Sequence, residues 1–192
     1  LGGFEFSSPP PLQHFRPYLP WGLATTGSEP GEHRNRSMIC KGNIRHVKSA
    51  YLKEAHQLRK LLVDHPNIEL KMTIISPTWH HIRYKSGKAY DQSPYTNDSE
   101  YFSDLVAAYQ EEIAVLYSAG LRNIQIDAPE LSFFCDDNIR AAFKEEGQDP
   151  DILLHTYIDV LNQCVAKKAS DLHVGLHISP GILSQFKTSA ES

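Results

Sequence analysis

The chain has 192 residues, 41% hydrophobic and 22% charged, with a net charge of -4. That balance is ordinary for a globular domain and sets aside a surface built for nucleic acid, which needs a clustered basic tract. No stretch approaches the roughly 20 apolar residues of a membrane helix, and the opening LGGFEFSSPPPLQHF has neither the basic start nor the apolar run of a leader.

A soluble cytoplasmic protein with no nucleic-acid and no membrane partner is therefore the expectation. Cys40, Cys135 and Cys164 are too few and too scattered for a disulfide framework and fit a reducing compartment. Cys164 falls on an apolar helical face as a small core residue, while Cys40 and Cys135 lie near predicted strand ends.

Residues 1–37 carry a PPP run, Pro17, Pro20, Pro30 and several glycines with little periodicity, which predicts a Pro-rich arm or irregular loop. Phe4, Phe6, Phe15, Tyr18 and Trp21 are many aromatics for a freely solvated tail, so the arm is expected to pack against a neighbour. Gly27 and Gly31 do not form a phosphate loop, because no strand-to-helix context or lysine-serine pair follows them.

Residues 38–192 read as one domain of alternating strands and helices. SMICKGNI is a strand; SAYLKEAHQLRKLLVDH is a helix, with Leu52, Ala55, Leu58, Leu61 and Leu62 recurring at helical spacing. ELKMTIIS is the next strand, followed by an aromatic and basic loop and a helix from about Asp98 to Ala119, which Gly120 stops. RNIQID is the third strand. A short helix over about Asp136 to Glu146 follows, then a longer one with Pro150 in its first turn. DLHVGLHISPGI reads as a buried strand ending on His177.

Strands near 40, 72, 124 and 174 separated by helices are the signature of βα units on a parallel sheet. The expected fold class is α/β, a partial barrel derived from the (β/α)8 TIM barrel. A complete barrel needs about 250 residues, so about half of one is expected per chain, with its open edges covered in a homodimer.

In such a fold the loops after the strands build the site. Ser76-Pro77-Thr78-Trp79-His80-His81-Ile82-Arg83, Asp127-Ala128-Pro129-Glu130 and His177-Ile178-Ser179-Pro180 should face one pocket. An imidazole, a carboxylate and a guanidinium converging there would equip it for acid-base catalysis on an anionic or polar small molecule. If the second strand continued through His81 and Arg83, alternation would put these two on one side.

SPTWHHIR, AAYQEEIAVLYSAGLRNIQIDAPELSFFCDD, GQDPDILLHTYIDVLNQC and DLHVGLHI together resemble the cobalamin-independent methionine synthase family, in particular its shorter single-barrel fungal and bacterial members. The resemblance covers about residues 38 to 178. It implies a barrel in which zinc activates a thiol for methylation by a folate donor, with a His-x-Cys pair at the end of the strand that reads GLHI here. His177 matches the first ligand, and Ser179 stands at the cysteine. A serine hydroxyl stays neutral and hard where zinc favours a soft anion. Asp127 matches the aspartate of the family's IDxP motif, associated with the amino group of the thiol substrate. His81 and Arg83 match its SPxWxHxR pattern.

The leading expectation is a diverged, metal-free enzyme in secondary metabolism with no cofactor, isomerising, opening or cyclising a small organic substrate such as an epoxide. Asp127, Glu130, His81 and His177 would be catalytic, and Ser76, Trp79, Arg83 and Ser179 substrate-binding. Asp127 can alternatively be a carboxylate that only ties the strand end to a neighbouring loop. Two further classes stay open: a zinc-dependent methyltransferase using methyltetrahydrofolate, its ligands drawn across a dimer from His177, Cys40, Cys135 or nearby histidines, and a non-catalytic binding or scaffold protein. His80 reads as structural. Lys53, Arg59, Lys60, Glu111 and Glu112 read as solvated faces, and His46, His56 and His65 show no partner spacing.

Overall fold

The computed structural model describes residues 1–7, 12–19 and 37–179. Trp21, Gly27, Gly31 and everything from Pro180 onward lie outside these. In chain order the described elements are β1 (Gly2–Ser7), β2 (Ser37–Arg45), α1 (Leu52–Leu61), β3 (Lys71–Ile75), α2 (Trp79–Ile82), α3 (Asp98–Ser118), β4 (Asn123–Asp127), α4 (Asp137–Glu145), α5 (Pro150–Val165) and β5 (His173–His177). Two 3-10 turns, Leu12–His14 and Pro129–Cys135, complete them.

Alternation in KMTII and NIQID decides the centre of the fold. Met72, Ile74, Ile124 and Ile126 point into the core, whereas Thr73, Ile75, Gln125 and Asp127 face the other way. β3, β4 and β5 form a parallel sheet in that order, in which Ile75, Asp127 and His177 share one row. Two backbone bonds carry the alignment past the strands, Ser76 N to Asp127 O and Ala128 N to His177 O, each 2.9 Å.

The parallel sheet has three strands among the described residues, not the four expected. The segment near residue 40 pairs antiparallel with Gly2–Ser7 as a separate two-stranded sheet, because an extended partner of complementary alternation lies upstream. It packs on α3, and its Cys40 and Ile44 are buried in the core. Its link to the rest of the chain includes a single bridge from Cys40 to Tyr90. β5 also departs from expectation. It sits at a sheet edge and is largely exposed, with Leu176 at 49%, since no described strand covers its outer side.

The N-terminal stretch is built into this chain's own core. Phe15 and Leu19 are buried, Phe15 stacks on Tyr84 with centroids 4.5 Å apart, and Arg16 is fully enclosed. Arg16 donates to the carbonyl of Ile82 at 2.8 Å, to Glu146 at 2.9 Å and to Gln148, and it lies over the Phe143 ring. A buried cation is tolerated because each arm of the guanidinium has a partner.

The helices start and stop where their side chains dictate. Asn97 caps α3 by accepting from Glu100 N, and Glu100 reaches back to accept from Thr96 N, a reciprocal arrangement at the first turn. Gly120, at φ +94°, ends the segment in a conformation that side chains disfavour. Asp149 caps α5 with Pro150 at its first position. Tyr109, Ile113 and Leu116 from α3, with Tyr157, Leu161 and Cys164 from α5, join the sheet residues in one core. Among the described residues no helix is long and apolar enough to cross a membrane.

Candidate active site

The row that ends the sheet brings two of the expected residues together. Nδ1 of His177 lies 3.0 Å from Oδ1 of Asp127, and Gln125 donates to the same oxygen at 2.8 Å. Both side chains remain accessible, at 50% for His177 and 38% for Asp127. The carboxylate accepts the Nδ1 proton and leaves Nε2 as the basic nitrogen of a half-exposed ring, the tautomer suited to proton exchange with a bound molecule. Ser179 follows two residues past the strand, half-buried.

Glu130 does not join this pair. The 3-10 turn over Pro129–Cys135 carries it into the core, where it is fully buried. Thr78 Oγ1 donates to Glu130 Oε1 at 2.7 Å, and Ser76 Oγ lies 2.9 Å from Thr78 Oγ1. The second oxygen, Oε2, has no hydrogen-bond partner. Burial raises the Glu130 pKa, more than its hydroxyl partners lower it.

The chain beyond β3 turns at once, so His81 and Arg83 do not alternate along a strand. Residues Trp79–Ile82 form a helical turn after Ser76, with Trp79 N bonded to Ser76 O. His81 points into the core: its Nδ1 is 2.8 Å from the Tyr157 hydroxyl, its Nε2 is 3.2 Å from Asp98 Oδ1, and Phe102 packs against the ring. The neighbouring His80 has the structural part expected of it, with Nε2 donating to the Met38 carbonyl at 2.9 Å and Nδ1 accepting from Tyr101. Burial lowers its pKa to about 4, so the ring is neutral at pH 7.

Ser76, Trp79 and Arg83 line a cavity of about 350 Å³ beside the β1–β2 sheet, with Tyr51, Tyr109 and Leu105 among its walls. Its volume is within the range of small-molecule sites. It also holds a pair that the sequence reading missed. Glu112, expected on a solvated face, is buried; its Oε2 lies 2.6 Å from His46 Nε2, and Ser49 donates to its Oε1 at 2.7 Å. Ser49 in turn caps the start of α1 by accepting from Leu52 N. The apolar positions around Glu112 on α3 were the available signal, since Ala108, Tyr109, Ile113 and Leu116 surround it on the helix face.

No protein-family model matches the chain. It is similar to two uncharacterised proteins of Bacillus subtilis strain 168: YxjH, 33% identical over 115 residues, and YxjG, 31% identical over 112. These matches take in 60% and 58% of this chain and 29% of each relative, so the chain spans under a third of their length. Among solved structures it is similar to a Listeria monocytogenes protein described as a candidate vitamin-B12 independent methionine synthase, with a TM-score of 0.62 and 27% identity over 74% of this chain and 41% of that one. The fold is methionine-synthase-like. The described residues of this methionine-synthase-like chain form a mixed α/β architecture with two small sheets and no closed barrel.

For the zinc that the resemblance implies, the described donors do not fit. His177, oriented by Asp127, could offer Nε2 as a single ligand, but Ser179 beside it offers only a neutral oxygen. Cys40 and Cys164 are buried, their thiols pushed up to about 12 by desolvation, so neither is a ready thiolate. Cys135 is exposed at the far end of the 3-10 turn. Among the described residues no three His, Cys, Asp or Glu side chains are grouped to hold a metal ion.

Proposed function

We propose that this chain carries an acid-base site that acts on a small organic molecule on a diverged methionine-synthase-like scaffold, in an isomerisation, ring opening or cyclisation. The observation that carries the reading is the half-exposed Asp127–His177 hydrogen bond at the C-terminal end of adjacent parallel strands; the nearby cavity is lined by Ile75 of the neighbouring strand but by neither of the pair.

In this reading Nε2 of His177 takes a proton from the substrate, and Asp127 stabilises the imidazolium formed. The imidazolium returns its proton to the rearranged product, restoring the enzyme. Asp127 orients and balances charge rather than moving the proton itself. Ser76, Trp79, Arg83 and Ser179 hold the substrate, whereas Glu130 and His81, enclosed in the core, keep the strand ends in place. The proposal includes a second copy of the chain completing the partial barrel against the exposed β5 edge, and sedimentation at micromolar concentration should give a dimer.

A second reading, thiol methylation by a zinc-dependent enzyme with a folate donor, draws support from the likeness to the Listeria protein. The discriminating experiment incubates a metabolite extract with the protein in D2O and follows consumption and deuterium uptake by mass spectrometry. Turnover that is lost in His177→Gln, reduced in Asp127→Asn and indifferent to chelation supports acid-base chemistry. Turnover abolished by chelation and restored by zinc supports methyl transfer. No turnover at all would sink both and leave a binding protein.

A further inference from the structure

The cavity beside the two-stranded sheet, α2 and α3 carries a charge that no carboxylate among the described residues pairs. Arg83 lines it, half-buried, with its guanidinium carbon 5.6 Å from the centre of the Phe15 ring. Its Nε is buried without a hydrogen-bond partner, and among the described residues no carboxylate lies within ion-pair distance of it. This contrasts with Arg16, every arm of which is engaged. A cation taken out of water without a partner is costly and persists where a partner arrives from outside.

The other charges fix what that partner is. Glu112 is the carboxylate in the cavity wall, but both its oxygens are engaged, one by His46. Lys48 is exposed at the rim. One partly buried guanidinium with a carboxylate nearby suits a single negative charge, because a doubly charged phosphate would need more donors and would be repelled by Glu112. The remaining walls are apolar and aromatic, Trp79 and Tyr109 among them, and favour an apolar body.

We propose that this cavity binds a small apolar carboxylic acid in its ionised form, with its carboxylate on Arg83 and its apolar body between Trp79 and Tyr109. Ile75 lines the cavity and shares its row with Asp127 and His177, so the cavity lies at the same end of the sheet as the proton-transfer pair, neither member of which lines it. That the acid is the substrate of His177 rests on the reading above, whereas its binding stands on the cavity alone.

The test is calorimetric titration of 3-phenylpropionate, 3-phenylpropanol and phenyl phosphate into the wild-type protein and into Arg83→Gln, Arg83→Lys and His177→Gln. The carboxylate should bind about ten- to a hundredfold more tightly than the alcohol, the difference made by one charge-assisted hydrogen-bonded pair. Arg83→Gln should remove that preference, Arg83→Lys should keep part of it, and His177→Gln should leave it intact. Equal binding of acid and alcohol by the wild-type protein, tighter binding of the phosphate, or no binding of any probe at millimolar concentration overturns the proposal, whether or not a variant folds. Acid binding that depends on Arg83, with no turnover in the D2O experiment, upholds this site while removing the catalytic reading.

Discussion

Replacing His80 with glutamine should change how the protein's stability responds to acid. The ring is held neutral in the fold, chiefly by burial and further by the charges of His81 and Arg83, with a pKa of about 4 against 6.5 in the unfolded chain. As pH falls through that window, the unfolded chain takes up a proton that the folded ring refuses. Stability that is fully present above pH 6.5 is therefore lost progressively down to about pH 4. An interval of that width is worth roughly 3 kcal/mol. His80→Gln has no such proton to take up, but at neutral pH it loses one of two hydrogen bonds, to Met38 or Tyr101, at about 1 kcal/mol. Urea unfolding of both proteins from pH 7 to 4 should show the wild type ahead at pH 7 and overtaken by the variant before pH 4. A gap that does not move with pH, or a His80 ring that titrates near 6.5 in the folded protein by NMR, would refute the reasoning.

Glu130 should show the opposite slope: with its pKa raised above 4.5 by burial, stability is intact at low pH and is lost as pH rises between 4.5 and the native value. Glu130→Gln, which mimics the protonated acid, should gain on the wild type across that interval in the same urea series. Glu112→Ala should destabilise by about 1–3 kcal/mol, because the Ser49 hydroxyl and His46 ring lose their shared partner, and thermal unfolding with calorimetry reads it. Gly120→Ala should cost about 1–3 kcal/mol in the same measurement, since φ is +94° and an added Cβ would fall within 3 Å of the Arg59 guanidinium carbon.

The helices and the three parallel strands were legible because local chemistry decides them. Asn97 and Gly120 bracket the long helix, and the alternation in NIQID sorts its residues between core and open face. The orientation of the segment near residue 40 was not legible, because its partner, Gly2–Ser7, is remote in sequence and only the folded chain reveals which strand reaches it first. In the site, Asp127 and His177 meet because both end parallel strands in register, a consequence of the βα repeat itself. His81 eludes the same logic: a turn after Ser76 replaces the extended backbone, and the ring follows the Tyr157 hydroxyl into the core. The Glu112–His46 pair joins residues whose meeting depends on how β2 lies on α3, which no periodicity encodes.

The enclosure of Arg16 governs how this protein can be cut down for study. A version starting at Ser37 would look tidy by element boundaries, yet it would strip Phe15 from Tyr84 and leave the Ile82 carbonyl, Glu146 and Gln148 without the group that gathers them. Those contacts sit directly beneath the turn that presents Trp79 and Arg83, so such a trimmed protein would lose the shape of its cavity before it lost its sheet.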